Sequence, residues 1–230
     1  MKRNILYTLC GLFLLAGCQQ EEMISTEGYL SLTGIEVKAQ EVTEVASRAV
    51  DESLIVDLYQ GETKLRTLTP EEMQNKITLS AATDYSLKVY STNYGQDASW
   101  TNDQKGEPIY YKEQAFEVKE GETTPLKVLV PMSNYAVQLS LPELTWVSSY
   151  TFTVTSGTRM VSLQNGEKAY FPYVEGSAFT YQLTLINTDA EEFTLSGTWG
   201  NGETESLAFN TCYVVTYQVG TGALAVSELP

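Results

Sequence analysis

The sequence has no histidine at all, and its 14 lysines and arginines are outnumbered by 29 aspartates and glutamates. Without histidine, the commonest general base, proton shuttle and metal ligand is missing. Serine–histidine and cysteine–histidine nucleophile pairs are therefore excluded, as are zinc sites that use an imidazole. The shortage of positive charge excludes another class, because a formal net charge of −15 repels phosphate backbones and speaks against nucleic acid. What is present is enough for folded cores: 230 residues, 43% hydrophobic and 11% aromatic, allow one or two domains and are unlike a disordered acidic tail.

The first 18 residues carry the sharpest signal. Met1-Lys2-Arg3-Asn4 is a basic start, Ile5–Leu15 an apolar run of 11 residues, and Leu15-Ala16-Gly17-Cys18 a small-residue cleavage site. The apolar run is too short to cross a hydrocarbon core of about 30 Å as a helix. Leu-Ala-Gly-Cys resembles the lipobox of bacterial lipoproteins, in which the cysteine is acylated and becomes the first residue. An ordinary signal peptide followed by a chance cysteine is the alternative. Removing residues 1–17 takes Lys2 and Arg3 away and moves the net charge from −15 to −17. Cys10 leaves with the leader and Cys18 takes lipid, so Cys212 has no intramolecular disulfide partner. Its strand-like surroundings, Asn-Thr-Cys-Tyr-Val-Val, read as a buried small hydrophobe.

Beyond a polar tether at 18–27 the dominant period is two. Tyr85–Val89, Leu126–Val130, Tyr135–Leu141, Phe152–Val154, Phe179–Leu185, Phe193–Leu195 and Tyr213–Val219 alternate apolar with polar residues. Threonine, valine and tyrosine enrichment supports strands with one buried face. Asn165-Gly166 and Asn201-Gly202 have the chemistry of two-residue hairpin turns, and the triplet Gly-Glu-Thr recurs at 61, 121 and 202 as turn grammar. Thr69-Pro70-Glu71-Glu72 reads as an N-cap, a proline in the first turn and acidic residues behind it, opening one short helix. The strongest break is Val130-Pro131-Met132-Ser133-Asn134. The expected fold is all-β: two tandem antiparallel β-sandwiches, 28–131 and 132–230, of immunoglobulin-like size, with at most one short helix. A single large sandwich is the alternative organisation.

No cofactor motif and no metal pattern emerges. Glu21-Glu22, Glu71-Glu72 and Glu191-Glu192 are adjacent carboxylates whose side chains diverge in a strand or a helix, so they make poor acid–base pairs. Asn93, Asp97, Asn102 and Asp103 share a polar loop but lack the spacing of a calcium loop. More suggestive are Tyr94, Trp100, Tyr110 and Tyr111, with Tyr90 beside them, around the longest loop of the first half, Asn93–Pro108. Aromatics at such a place either pack the loop or form a ligand surface for sugars or protein. Trp146 and Trp199 read as core residues or covers of the second half.

The first strand candidate, Gly28-Tyr29-Leu30-Ser31-Leu32, is followed by a polar stretch holding Ser47-Arg48-Ala49. Arg48 is either a lone cation in an acidic loop or a protease site. Together, the lipobox, the acidic tether Gln19-Gln20-Glu21-Glu22, Gly-Tyr-Leu-Ser-Leu and the tandem sandwiches resemble a family of Bacteroidetes surface lipoproteins known as a domain of unknown function. In architecture this is similar to fimbrillin-type pilins and their accessory subunits. The resemblance implies a Gram-negative outer-membrane lipoprotein displayed on the cell surface. It also implies strand addition between subunits after a cut between Arg48 and Ala49. The expected role is thus a non-enzymatic structural or adhesive surface protein, held to the membrane through lipid on Cys18. A glycan-binding surface lipoprotein is the alternative. Replacing Cys18 by serine is expected to abolish incorporation of a fatty-acid label and to release the protein from the membrane fraction. Unchanged labelling of that variant would contradict the anchor.

Overall fold

The computed structural model describes residues 26–38, 54–201 and 205–229. Cys18, Arg48 and Ala49 lie outside these residues, as do the leader, most of the tether and the Gly202-Glu203-Thr204 triplet. The regular structure of the described residues is nearly all strand, and the alternating segments form four sheets arranged as two sandwiches.

The first sandwich contains β1 (Glu27–Val37), β2 (Leu54–Gln60), β3 (Thr63–Thr67), β4 (Lys76–Ser80), β5 (Ala82–Ser91), β6 (Tyr111–Val118) and β7 (Thr123–Val130). One sheet has the order β4-β1-β7 and the other β3-β2-β5-β6. The second sandwich contains β8 (Tyr135–Ser140), β9 (Val147–Ser156), β10 (Arg159–Ser162), β11 (Lys168–Phe171), β12 (Phe179–Asn187), β13 (Glu192–Trp199), β14 (Cys212–Gln218) and β15 (Ala223–Leu229). Its sheets run β11-β8-β14-β15 and β10-β9-β12-β13. The second topology repeats the first, strand for strand, and adds β15 beside β14. The C-terminal strand thus completes its own sandwich.

The ladders are antiparallel except two, β1 with β7 and β8 with β14. Strand direction alternates along the chain, so the first and seventh strands of each sandwich necessarily point the same way. Two turn expectations change for the same topological reason. Asn165-Gly166 joins β10 to β11, which belong to different sheets, so it closes no hairpin. Only Gly166 has a positive φ there (81°). The Asn165 side chain instead acts as a substitute ladder partner: Oδ1 accepts from the Leu141 amide at 2.7 Å and Nδ2 donates to its carbonyl at 3.0 Å. Asn201 likewise follows β13 on the way to the opposite sheet. By contrast, Gly61 does make the β2–β3 hairpin, with φ of 54°.

The helix forms where the capping signal stands. In α1 (Pro70–Gln74), Thr69 Oγ1 accepts from the Glu72 amide and the Glu72 carboxylate accepts from the Thr69 amide, a full capping box. A 3-10 turn, Asp97–Ser99, lies in the long loop and had no comparable signal.

Each sandwich has its own core. In the first, Leu30, Ile35, Val56, Leu58, Leu87 and Val128 are buried between the sheets. The second is aromatic: the Tyr135 ring lies 5.7 Å from Phe171, 6.0 Å from Phe179 and 5.9 Å from Tyr213. Burial pushes the Tyr135 phenol up to about 12, and its hydroxyl is satisfied by Ser156 Oγ at 2.8 Å. Cys212 is also buried, but on the opposite face of that sheet, in the row of Ala136 and Tyr170.

The joint between the sandwiches is held by buried asparagines. Asn134, with no exposure, accepts from the Ile109 amide (3.1 Å) and donates to the Glu107 carbonyl (3.0 Å). Asn210 accepts from the Met132 amide (2.9 Å), while its own amide donates to the Asn134 carbonyl (3.0 Å). Its φ of 57° suits asparagine better than most residues.

The loop after β5 crosses to the second sandwich and runs along the edge of β10. The Asp103 amide donates to the Met160 carbonyl, and the Met160 amide donates to Asn102 Oδ1, both at 2.9 Å. Arg159, only 8% exposed, donates to the carbonyls of Gln104 and Tyr170 and stacks over Trp100 and Phe171. The strap therefore covers an edge that would otherwise offer unpaired backbone groups. Arg159→Ala is expected to cost about 1–3 kcal/mol and to speed tryptic cleavage after Lys105. Cleavage at an unchanged rate would show that Arg159 does not hold the strap.

Candidate functional site

Strand alternation sends Leu54, Val56 and Leu58 of β2 inward and Ile55, Asp57 and Tyr59 to the outer face of the β3-β2-β5-β6 sheet. Cross-strand register then places side chains in rows. Ile55, Tyr90 and Tyr111 form one row, and Thr67, Asp57, Lys88 and Glu113 form the next. Lys64, Tyr59 and Ser86 form the third. Directly opposed residues sit close enough to interact.

The turn after β5 adds a fourth tyrosine. The Tyr94 amide donates to the Ser91 carbonyl at 2.9 Å. Ser91 Oγ donates to Asn93 Oδ1 at 2.6 Å and accepts from the Tyr110 amide at 3.0 Å. Held this way, the Tyr94 ring stacks on Tyr111 with centroids 4.7 Å apart and planes 12° apart, and lies 5.7 Å from Tyr90. Tyr94 is 46% exposed.

Under this row lies Asp57, 3% exposed. Its carboxylate accepts from Thr67 Oγ1 (2.6 Å) and Tyr90 Oη (2.9 Å) and pairs with Lys64 Nζ (2.8 Å). Burial alone would push the Asp57 carboxyl upward, but these three donors outweigh it and hold it below its ordinary value. The hydrogen bond to Asp57 in turn raises Lys64. Burial, and then the neighbouring carboxylates, push the Tyr90 and Tyr111 phenols up, so both remain protonated donors at neutral pH. Lys88 Nζ sits 4.5 Å from the Tyr59 ring centroid and 3.9 Å from Glu113 Oε1. Tyr111 Oη donates to Glu113 Oε2 at 3.3 Å. Both carboxylates of these rows, Asp57 and Glu113, thus have a lysine, and the rows are neutral although the chain carries −15.

The structure separates the four expected surface residues. Tyr94 and Tyr111 come together. Tyr110, next in sequence to Tyr111, points the other way and packs against the first core. Trp100 is taken by the joint: its ring lies under the Arg159 guanidinium, and a Cβ at Gly106 would meet it at 2.6 Å. The Trp100 ring is half-buried against Arg159, while Tyr90 lies beside Tyr94, and Tyr59 sits two rows away next to Lys88. Tyr59 and Asp57 were legible only as alternate positions of one strand. That β2 pairs with β5 needed the structure.

The remaining polar candidates are occupied elsewhere. Asn102 and Asp103 accept backbone amides of β10, and Asn93 donates to Glu107 and Pro108. Glu72 caps α1 and pairs with Arg66, while Glu191 accepts from Asn187. Among the described residues no group of three or more histidine, cysteine, aspartate or glutamate side chains could hold a metal ion, and no helix is long and apolar enough to cross a membrane. Trp199 packs on the second core. Trp146 lies at that sandwich's far end, edge-on to Phe193 at 6.3 Å.

Asp57→Asn tests the support beneath the tyrosines. The folded pKa lies below the unfolded one, so the carboxylate's stabilisation is complete at neutral pH. It is lost as pH falls below about 4 and through the folded value. The variant is expected to be about 1–3 kcal/mol less stable at pH 7, with the difference shrinking in acid. An equal difference at pH 7 and pH 2 would contradict this.

No curated relative matches the sequence. Solved structures that match the chain include a "putative cell adhesion protein" from Bacteroides uniformis, 11% identical, covering 88% of this chain and 96% of that one with a TM-score of 0.48. A second, of the same description, from Bacteroides eggerthii is 9% identical and covers 89% and 95% with a TM-score of 0.47. A "putative adhesin" from Bacteroides ovatus is 10% identical and covers 87% and 92% with a TM-score of 0.41. The family model that matches spans residues 26–227, both sandwiches and every strand of the tyrosine face, and the chain belongs to that family, the Domain of unknown function DUF4493.

Proposed function

We propose that this chain is a non-enzymatic, lipid-anchored protein of the bacterial cell surface that makes adhesive contacts through the outer face of its first sandwich. The observation that carries this reading is the charge-compensated row of Tyr90, Tyr111 and Tyr94 on the flank of an otherwise acidic protein. Tyrosine offers large, rigid contact area with a polar tip at low entropic cost. The topology supports presentation. Because β1 runs parallel to β7, and β7 ends at the joint, β1 begins at the pole opposite the second sandwich. Lipid on Cys18 would then leave both flanks clear of the membrane. Two acyl chains already suffice for stable attachment.

The test is attachment of cells that display the protein. Cells carrying the double variant Tyr94→Ala, Tyr111→Ala are expected to attach several-fold less at equal surface amounts. Attachment equal to that of the parent protein would overturn the role of this face.

A second reading, a fimbrial accessory or anchor subunit, is favoured by the position of β1. It is the middle strand of its sheet, so its loss would leave β4 and β7 both unpaired and open a groove for a donor strand. Cleavage between Arg48 and Ala49 by an arginine-specific protease, followed by light scattering, tests this directly. Growth into oligomers is the expected result for a pilus subunit. A cut protein that stays monomeric would contradict it.

A further inference from the structure

The chemistry of the tyrosine face also identifies what it would hold. We propose that it binds a neutral glycan chain, with a pyranose ring stacked on Tyr94 and neighbouring hydroxyls bridged between Lys88 and Glu113. This inference rests on the adhesive reading above and names its ligand class.

A pyranose has two unlike surfaces. Its C–H face is apolar and packs on an aromatic ring, while its rim carries hydroxyls that both donate and accept. The site offers both in adjacent rows. Tyr94, backed by Tyr111 at 4.7 Å and fixed by the Ser91 turn, presents an exposed ring that need not be ordered on binding. In the next row are Lys88 Nζ, a donor, and the Glu113 carboxylate, an acceptor, with side chains 34% and 48% exposed. Neighbouring strands lie about 4.8 Å apart and successive rows on one face about 6.7 Å apart, the scale of a sugar ring and its hydroxyls. The Asp57 oxygens are already filled by Lys64, Thr67 and Tyr90. They serve to lock Tyr90 beneath the platform and do not face a ligand.

Charge selects the neutral class. Lys64 answers Asp57 and Lys88 answers Glu113, so the patch has no net charge to attract an ionic polymer. The rest of the chain is strongly acidic and repels sulfated or uronic polymers over a Debye length. The equivalent sheet of the second sandwich gives an internal contrast. Its outer face is also uncharged over the rows Met160-Thr155-Thr180-Thr198 and Ser162-Thr153-Gln182-Ser196, but it carries no aromatic ring there. Hydroxyls alone exchange one set of water hydrogen bonds for another. The stacking surface is what the first sandwich adds.

Affinity electrophoresis of the mature chain carrying Cys18→Ser, through gels containing glucomannan, galactomannan, xyloglucan or a sulfated polysaccharide, tests this. Retardation by at least one neutral polymer is expected, and it should persist when salt is raised to about 0.5 M. Titration with the matching hexasaccharide is expected to show at least about tenfold weaker binding for Tyr94→Ala and for Tyr111→Ala. Tyr94→Phe should retain most of the affinity, because it keeps the ring. Trp100→Ala and Thr180→Ala should bind like the parent. Tyr94 is exposed, so unchanged thermal melting of its variants separates lost binding from lost folding. Retardation only by the sulfated polymer, abolished by salt, would overturn the neutral class. Binding that survives Tyr94→Ala but falls with Thr180→Ala would move the site to the second sandwich. If no polysaccharide retards the protein while cell attachment still falls in the Tyr94, Tyr111 double variant, the glycan assignment fails and the adhesive face stands. If attachment is also unchanged, both fail.

Discussion

Seven strands laid down in strict alternation must begin and end in the same direction, and the arrangement of this protein follows from that parity. β1 and β7 run parallel side by side, so the chain enters the first sandwich at one pole and leaves it at the other. The second sandwich can then start directly at Tyr135, five residues after Val130, and repeat the same path. An even count would have returned the chain to its starting pole and placed the second sandwich beside the tether. As built, the start of β1 and the second sandwich lie at opposite ends of the first, and the outer sheet faces become flanks. β15, the one strand outside the repeat, pairs with β14.

Two kinds of interaction serve different ends in this architecture. The apolar cores hold each sandwich together, with the aromatic cluster around Tyr135 filling the second. The joint uses hydrogen bonds instead. Asn134 and Asn210 satisfy backbone groups that cannot join any ladder, and the strap from β5 supplies partners to the edge of β10. Buried polar groups of this kind add little when satisfied and cost a good deal when orphaned, so they fix geometry more than they add stability. The Arg159 contacts work the same way and consume the one tryptophan of the first half. The tyrosine face depends on a similar device, a buried carboxylate whose three donors tie β2, β3 and β5 beneath the rings.

Much of this was legible in the residues. Period-two alternation located the strands, the threonine–proline–glutamate signal located α1, and Tyr94 and Tyr111 stood out around a long loop. What failed did so for physical reasons. Asn165-Gly166 has hairpin chemistry, but a turn that crosses between sheets uses the same residues, and only sheet membership distinguishes them. Trp100 stood in the same long loop, and the structure half-buries its ring beneath a guanidinium. Its partner, Arg159, is 59 residues away, and nothing local announces it. Tyr59 and Asp57 needed the pairing of β2 with β5, a long-range register that a single sequence does not encode visibly. Tyr110 and Tyr111, adjacent in sequence, illustrate the general point: one residue decides between core and surface.

The central claim is that contact is made through the flank of the first sandwich. Hydroxyl-radical footprinting of the displayed protein tests it most directly, on cells in suspension against cells attached to a surface. The account predicts that oxidation of Tyr94 and Tyr111 falls on attachment while Trp146 and Phe193, at the far end of the second sandwich, are unchanged. Protection of Trp146 and Phe193 with full oxidation of Tyr94 would contradict it.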